Sequence, residues 1–302
     1  TYTMQIVFSF MMITMVSIML PRAIVSVERI DEILTSESVI EDPAQPEAPK
    51  PLQGEVKFDH VSFKYPGAED YALRDISFTA APGKTTAIIG STGSGKSTLL
   101  NLIPRFYDAT EGSVTLDGVD VRNMKLTELR DQMGYVPQKA VLFSGTIASN
   151  IKYAGNVSDE QMVQAAEIAQ SADFIEEKPE KYNSPIAQGG SNVSGGQKQR
   201  LSIARAVASN PKVYLFDDSF SALDYQTDVN LRKALAEHAE NAAVIIVGQR
   251  IATVMHADNI IVLKDGEVDG MGTHEQLLNS CETYREIATS QLSAKELGME
   301  GE

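Results

Sequence analysis

Gly90-Ser91-Thr92-Gly93-Ser94-Gly95-Lys96-Ser97-Thr98 is the stretch that decides how this chain is read. It fits GxxxxGK[ST], the pattern of a loop that cradles phosphate oxygens. Its flanks fit as well. The apolar run at 85–89 reads as a strand entering the loop, and 97–103 reads as a helix leaving it. Glycines let successive backbone N–H groups converge on an anion, and a helix start adds a favourable dipole. Lys96 is expected to reach the β- and γ-phosphates, and the Ser97 hydroxyl to ligate Mg2+. A flexible Gly/Ser turn is the bland alternative; strand, loop, lysine and helix in that order speak against it.

A second constellation follows later in the chain. Val213-Tyr214-Leu215-Phe216-Asp217 is an apolar strand ending in a carboxylate. Beside a phosphate loop, Asp217 is expected to hold Mg2+, usually through water. Taken alone, it could equally be a strand-ending Asp in a turn. Around these motifs, residues 55–65, 76–81 and 243–247 read as strands, and 158–172 and 196–209 as helices. Short apolar strands alternating with helical patterns predict an α/β class with a mainly parallel sheet.

Between the two motifs lies Val193-Ser194-Gly195-Gly196-Gln197-Lys198-Gln199-Arg200, followed by Leu201-Ser202-Ile203-Ala204-Arg205-Ala206. This resembles the signature motif of ATP-binding cassette (ABC) proteins, with Val193 where leucine is usual. Gln138, in Tyr135-Val136-Pro137-Gln138, matches that family's Q-loop. Ser221-Ala222-Leu223-Asp224 matches its D-loop. Tyr65, in Phe63-Lys64-Tyr65-Pro66, matches the aromatic that stacks on adenine; stacking of this kind is worth about 1–3 kcal/mol per base in single-strand binders. A tyrosine simply packed in the core remains the alternative for Tyr65. The resemblance covers roughly residues 54–290. It implies a P-loop NTPase cassette with a RecA-like core, an antiparallel β subdomain and a helical subdomain at about 139–209. It implies ATP and Mg2+ as cofactors, with Tyr65, Gly90, Ser91, Thr92, Gly93, Ser94, Gly95, Lys96, Ser97 and Thr98 on the nucleotide. Ser97, Gln138 and Asp217 are then the metal residues. Ser194, Gly195, Gly196 and Gln197 are expected to meet the γ-phosphate of a nucleotide held by a second cassette.

Two positions depart from an active member of that family. Asp218 stands where a glutamate orients the attacking water, and it is one methylene, roughly 1.5 Å, shorter. A misplacement of about 1 Å can cost on the order of 100-fold in rate. Gln249, in Val247-Gly248-Gln249-Arg250, stands where the switch histidine belongs. Its amide can hydrogen-bond a phosphate but carries no positive charge to the developing anion. Asp218, Gln249 and Gln138 are thus the expected catalytic set, in a site that holds ATP and hydrolyses it slowly. The two departures together resemble one subunit of heterodimeric bacterial exporters, whose signature serves a competent site on the partner. A homodimer with two mediocre sites is the alternative.

The first 20 residues, TYTMQIVFSFMMITMVSIML, carry no charge. A helix of that length spans about 30 Å, the thickness of a hydrocarbon core. No basic segment precedes it and no small-residue cleavage site follows, so it does not read as a signal peptide. A buried or partner-packed amphipathic helix is the other reading. Val27, Ile30, Ile33 and Leu34 keep helical spacing among Glu28, Arg29, Asp31 and Glu32, so the helix is expected to continue into water, with Pro21 as a kink. By resemblance, residues 1–35 are the end of the last membrane helix of an exporter and its cytoplasmic extension. Pro43, Pro46, Pro49 and Pro51 mark 36–53 as an extended linker. The cassette then occupies 54–290, and 291–302 is a polar tail. Phe143-Ser144-Gly145-Thr146-Ile147 also has the exporter look, as does Gln188-Gly189-Gly190-Ser191, where Gln188 replaces a usual glutamate in a loop that touches the membrane domain. The expected setting is the plasma membrane with the cassette on the cytoplasmic side. The expected partners are a second half-transporter, membrane lipid and a transported substrate that the residues do not specify.

Composition bounds the alternatives. The 302 residues include 26 basic and 41 acidic ones, a net charge of -15, which disfavours a phosphate-neutralising nucleic-acid binder. All the acidic residues lie from Glu28 onward. The single cysteine, Cys281, rules out an intrachain disulfide framework and fits a reducing compartment; it is expected to be a partly packed structural thiol. His60, His238, His256 and His274 lack metal-ligand spacing. The start at Thr1 reads as a fragment or processed product. A soluble ABC ATPase and a regulatory nucleotide-binding module are the competing functions. The apolar N-terminal segment and the acidity speak against the first.

Overall fold

The computed structural model describes residues 1–36, 38–49 and 51–292; the expected polar tail lies outside them from residue 293. The chain divides into two units at residues 41 and 42. The first is built on one helix, Tyr2–Leu34, which runs through Pro21 and has no buried residue. By length and composition it is able to cross a membrane. Its hydroxyls are handled internally. Ser9, Thr14 and Ser26 each donate to the carbonyl four residues back, so none of these three presents an unpaired donor to apolar surroundings.

The second unit holds two main sheets. Four antiparallel strands lie in the order Leu73–Ala80, Val56–Phe63, Glu111–Leu116, Val119–Asp120. Six strands form the other sheet, in the order Glu267–Gly272, Asn259–Lys264, Thr85–Gly90, Ala243–Val247, Val213–Asp217, Met133–Val136. All neighbours in this sheet run parallel except the edge hairpin Asn259–Lys264 with Glu267–Gly272. Every residue of Val213–Asp217 and of Ala243–Val247 is buried. That is why 213–216 and 243–247 read as unbroken apolar runs: each strand has protein on both faces.

Side-chain alternation divides the core. Tyr214, Phe216, Val244 and Ile246 face one cluster, with the helices Asp159–Ile168, Gly195–Ala208 and Tyr225–His238. Val213, Leu215, Ile245 and Val247 face another, with the antiparallel sheet and Leu99, Leu100 and Ile103 at the phosphate-loop helix. A third cluster packs Ala87, Ile89, Ile260 and Val262 against Leu277, Tyr284 and Ala288. The α/β architecture expected from the sequence, with a mainly parallel core, an antiparallel sheet and a helical part, is the one observed.

Three local expectations need correction. The helix expected over 158–172 stops at Ile168, because Gln170 takes a positive φ of 53° and a new helix, Ala172–Glu176, begins after Ser171. The buried Ser171 donates its hydroxyl and its N–H to the Ala166 carbonyl and seals the break. The strand expected over 55–65 is shorter, Val56–Phe63, and carries register shifts on both edges. Cys281 is buried rather than partly packed, and its thiol donates to Asp269 Oδ2 at 3.2 Å.

The chain enters the second unit under tether. The Asp42 carboxylate accepts from Leu126 N–H at 2.7 Å, and Glu47 N–H donates to the Asn123 carbonyl at 2.8 Å. The Asp117 carboxylate then accepts the N–H groups of Gln53, Gly54 and Glu55 within 3.1 Å.

Candidate nucleotide site

In an open parallel sheet, ligands gather beyond the carboxyl ends of the strands. Four such ends lie side by side here. Thr85–Gly90 leads into the phosphate loop, Val213–Asp217 ends in the carboxylate, and Gln138 and Gln249 follow just after Met133–Val136 and Ala243–Val247. A cleft of about 500 Å³ opens at this edge. Tyr65, Thr92, Gly93, Gly95, Lys96, Ser97, Thr98, Gln138, Asp217, Asp218 and Gln249 all line it. Gly90, Ser91 and Ser94 do not line it.

Two glycines make the loop possible for different reasons. Gly90 is needed for space: a Cβ there would overlap the Leu263 carbonyl and lie 2.7 Å from Ser94 Oγ. Gly95 is needed for its φ of +98° and also for space, since a Cβ would lie 2.7 Å from Leu73 Cδ2 and 2.9 Å from the Ala72 carbonyl. Lys96 Nζ donates to the carbonyls of Gly90 at 2.9 Å and Ser91 at 2.6 Å. Ser97 Oγ donates to Asp217 Oδ1 at 2.9 Å. Tyr65 both packs and lines the cleft. Its ring packs edge-on against Phe63 and Tyr107, while its hydroxyl lies 2.9 Å from Thr98 Oγ1 at the cleft.

The two departures from the active pattern touch one another. Asp218 Oδ2 accepts from Gln249 Nε2 at 2.8 Å and from Gln138 Nε2 at 3.3 Å. Asp218 sits in the left-handed region at φ 46°, a conformation Asp tolerates better than most residues. Its N–H donates to the Val247 carbonyl, which fixes the turn.

Burial raises the pKa of both Asp217 and Asp218; for Asp217 the Ser97 hydrogen bond opposes this and the Asp218 charge adds to it. Burial likewise lowers Lys96, against the pull of Asp218 and Asp217. Two crowded, half-desolvated carboxyl groups beside one hydroxyl make a setting that a hard cation would relieve. The donor set is all oxygen at Ser97 and Asp217, which suits Mg2+ completed by phosphates and water. Among the described residues no cluster of three His, Cys, Asp or Glu groups forms, so no all-protein cage competes with that arrangement. Ser94 Oγ, in the loop, is buried without a hydrogen-bond partner.

The structure does not bring Ser194, Gly195, Gly196 or Gln197 to this cleft. Ser194 caps the helix Gly195–Ala208 in a reciprocal capping box with Gln197: its hydroxyl accepts from Gln197 N–H at 3.2 Å, and Gln197 Oε1 accepts from Ser194 N–H at 3.1 Å.

Sequence reasoning passed over Tyr71, Ala72, Asp265 and Gly266, which also line the cleft. Asp265-Gly266 is an Asp-Gly hairpin turn with φ values of 50° and 82°, a readable local signal. Its position at the cleft comes from strand pairing far along the chain, which no local signal carries.

A strand-loop-helix phosphate cradle, joined at one sheet edge to a strand-ending carboxylate, defines a P-loop nucleotide-binding cassette. Residues 73–221 match the family described as ABC transporter. An ABC transporter ATP-binding protein of Mycobacterium tuberculosis is 45% identical over 99% of this chain and 52% of its own length. The ATP-dependent lipid A-core flippase of Haemophilus influenzae is 39% identical over 81% of this chain and 42% of its own. A solved bacterial Atm1-family ABC exporter with ATP bound superposes with a TM-score of 0.84 at 33% identity, over 92% of this chain and 49% of that one. This chain carries an ABC transporter domain, and it spans about half the length of the curated relatives it matches.

Proposed function

We propose that this chain is the ATP-binding part of an exporter subunit whose own nucleotide site is degenerate. ATP lies along the phosphate loop with Tyr65 against its base and Lys96 on its outer phosphates. Ser97 and Asp217, with Gln138 near them, hold Mg2+, which supplies charge neutralisation at the phosphates. The helix Tyr2–Leu34 meets the membrane, the cassette works on the cytoplasmic side, and a second half-transporter completes each site. On this reading Ser194–Gln197 face the partner's nucleotide, which accords with their lying outside this chain's own cleft. ATP draws the two cassettes together by binding the closed pair more tightly than the open one.

The observation that carries the degenerate reading is the shared contact on Asp218. Its Oδ2 already accepts from two amides, Gln138 and Gln249. That oxygen is committed to protein donors, on a side chain too short for the glutamate's reach. Gln249 adds no positive charge. Water is therefore poorly oriented here, and chemistry falls to the partner's site.

The test uses the assembled transporter with the partner's catalytic glutamate changed to Gln, so that remaining turnover reports this site. Asp218→Glu with Gln249→His is expected to raise that turnover by about 100-fold, the scale of a 1 Å correction. Unchanged turnover with ATP binding intact would remove the basis for the degenerate site.

A further inference from the structure

Tyr71 lines the nucleotide cleft, yet no motif includes it. Its position is fixed from three sides. Ala72 N–H donates to the Phe63 carbonyl at 2.8 Å, and Arg74 N–H donates to the Gly266 carbonyl at 2.8 Å, so the 71–74 segment is clamped between the strand Val56–Phe63 and the 265–266 turn. The Ala72 carbonyl abuts Gly95, where the phosphate loop becomes a helix. Finally, the Tyr71 hydroxyl donates to Glu111 Oε1 at 2.9 Å, which ties the side chain to the strand Glu111–Leu116. Both flanks of this segment are thus part of the site: the phosphate loop on one side, the strand leading to Tyr65 on the other. A rigid aromatic ring with two side-chain torsions, its far end pinned, loses little entropy when a flat ligand packs on it.

We propose that Tyr71 is a second aromatic contact for the nucleoside end of the bound nucleotide, set in orientation by Glu111. The inference rests on the nucleotide reading of the cleft and assigns it a further specificity-determining residue. Tyr65 is held by packing against Phe63 and Tyr107, whereas Tyr71 is held by a hydrogen bond across the antiparallel sheet. The two rings are positioned independently, so loss of one leaves the other in place.

The experiment measures affinity of the full chain, in detergent, for Mg-ATP and for Mg-tripolyphosphate, which has the phosphates without the nucleoside. Tyr71→Ala is expected to weaken ATP by roughly 5-fold or more, the lower end of one base stack, while tripolyphosphate affinity stays unchanged. Tyr71→Phe keeps the ring and releases Glu111; it is expected to fall between wild type and Tyr71→Ala for ATP. Equal weakening of both ligands by Tyr71→Ala would mean that the residue only supports the loop, and it overturns the inference. Unchanged ATP affinity in Tyr71→Ala overturns it as well. Lys96→Ala separates the two readings: it should weaken both ligands, and if it weakens neither, the nucleotide reading of the cleft itself fails.

Discussion

Asp218 illustrates how a single residue constrains the chemistry around it. Its positive φ aims the side chain, and its carboxylate then gathers the amides of Gln138 and Gln249 onto one oxygen. The identity of both departures was legible in the sequence, since each sits at a fixed offset from an apolar strand. Their direct contact was not, because it depends on two residues 31 apart in sequence lying just beyond the ends of neighbouring strands. Gly95 makes a sharper residue-scale prediction. Gly95→Ala forces a Cβ onto the Ala72 carbonyl in a left-handed conformation, at a cost of about 1–3 kcal/mol. Thermal unfolding should show the destabilisation, and nucleotide titration should show loss of ATP binding; a variant with native melting and native affinity would contradict the geometry given for the loop.

Among the elements, the helix Gly195–Ala208 carries two separable jobs at its first turn. Ser194 and Gln197 satisfy each other's backbone donors in the capping box, and the same residues are the ones proposed to meet the partner's nucleotide. Ser194→Ala should therefore cost about 1 kcal/mol of stability, read as a small drop in melting temperature. ATP affinity at the chain's own cleft should not change, because Ser194 does not line it. A parallel loss of own-site affinity would show that cap and cleft are coupled. Element types were easy to read wherever burial imposes a pattern. Residues 213–216 and Ala243–Val247 are apolar throughout because both faces of each strand are covered. The break after Ile168 was harder, since Ala169-Gln170-Ser171-Ala172 contains neither glycine nor proline. A positive φ at Gln170 and the Ser171 hydrogen bonds stop the helix there, and both depend on how the following segment packs.

For the whole molecule, the separation into two units sets an expectation about solubility and activity. Among the described residues, the three apolar clusters draw their buried members from Val56 onward, with Leu52 packed against one of them, and the helix Tyr2–Leu34 contributes none. A chain beginning at Asp42 should therefore fold, stay in solution without detergent and bind ATP with the affinity of the full chain. Aggregation of that shorter chain, or a loss of its melting transition, would show that the first unit is needed for folding. The chain's acidity belongs entirely to residues from Glu28 on. It is compatible with the proposed anion site because the loop's N–H groups and Lys96 would set the local field, which outweighs net charge at contact distance.

The tethers at the cassette entrance have a mechanical meaning. Asp42, Glu47 and the 53–55 segment are fastened at three successive places along the chain. A pull delivered from the N-terminal side loads these attachments one after another, like a seam opened stitch by stitch. The last is the strongest stitch, because one carboxylate holds three consecutive N–H groups. Tension that gets past the first two is therefore delivered to Asp117, in the turn after the strand Glu111–Leu116, and the edge of the first strand is spared from peeling. The residue that anchors the chain's entry is thus also the point where force enters the antiparallel sheet.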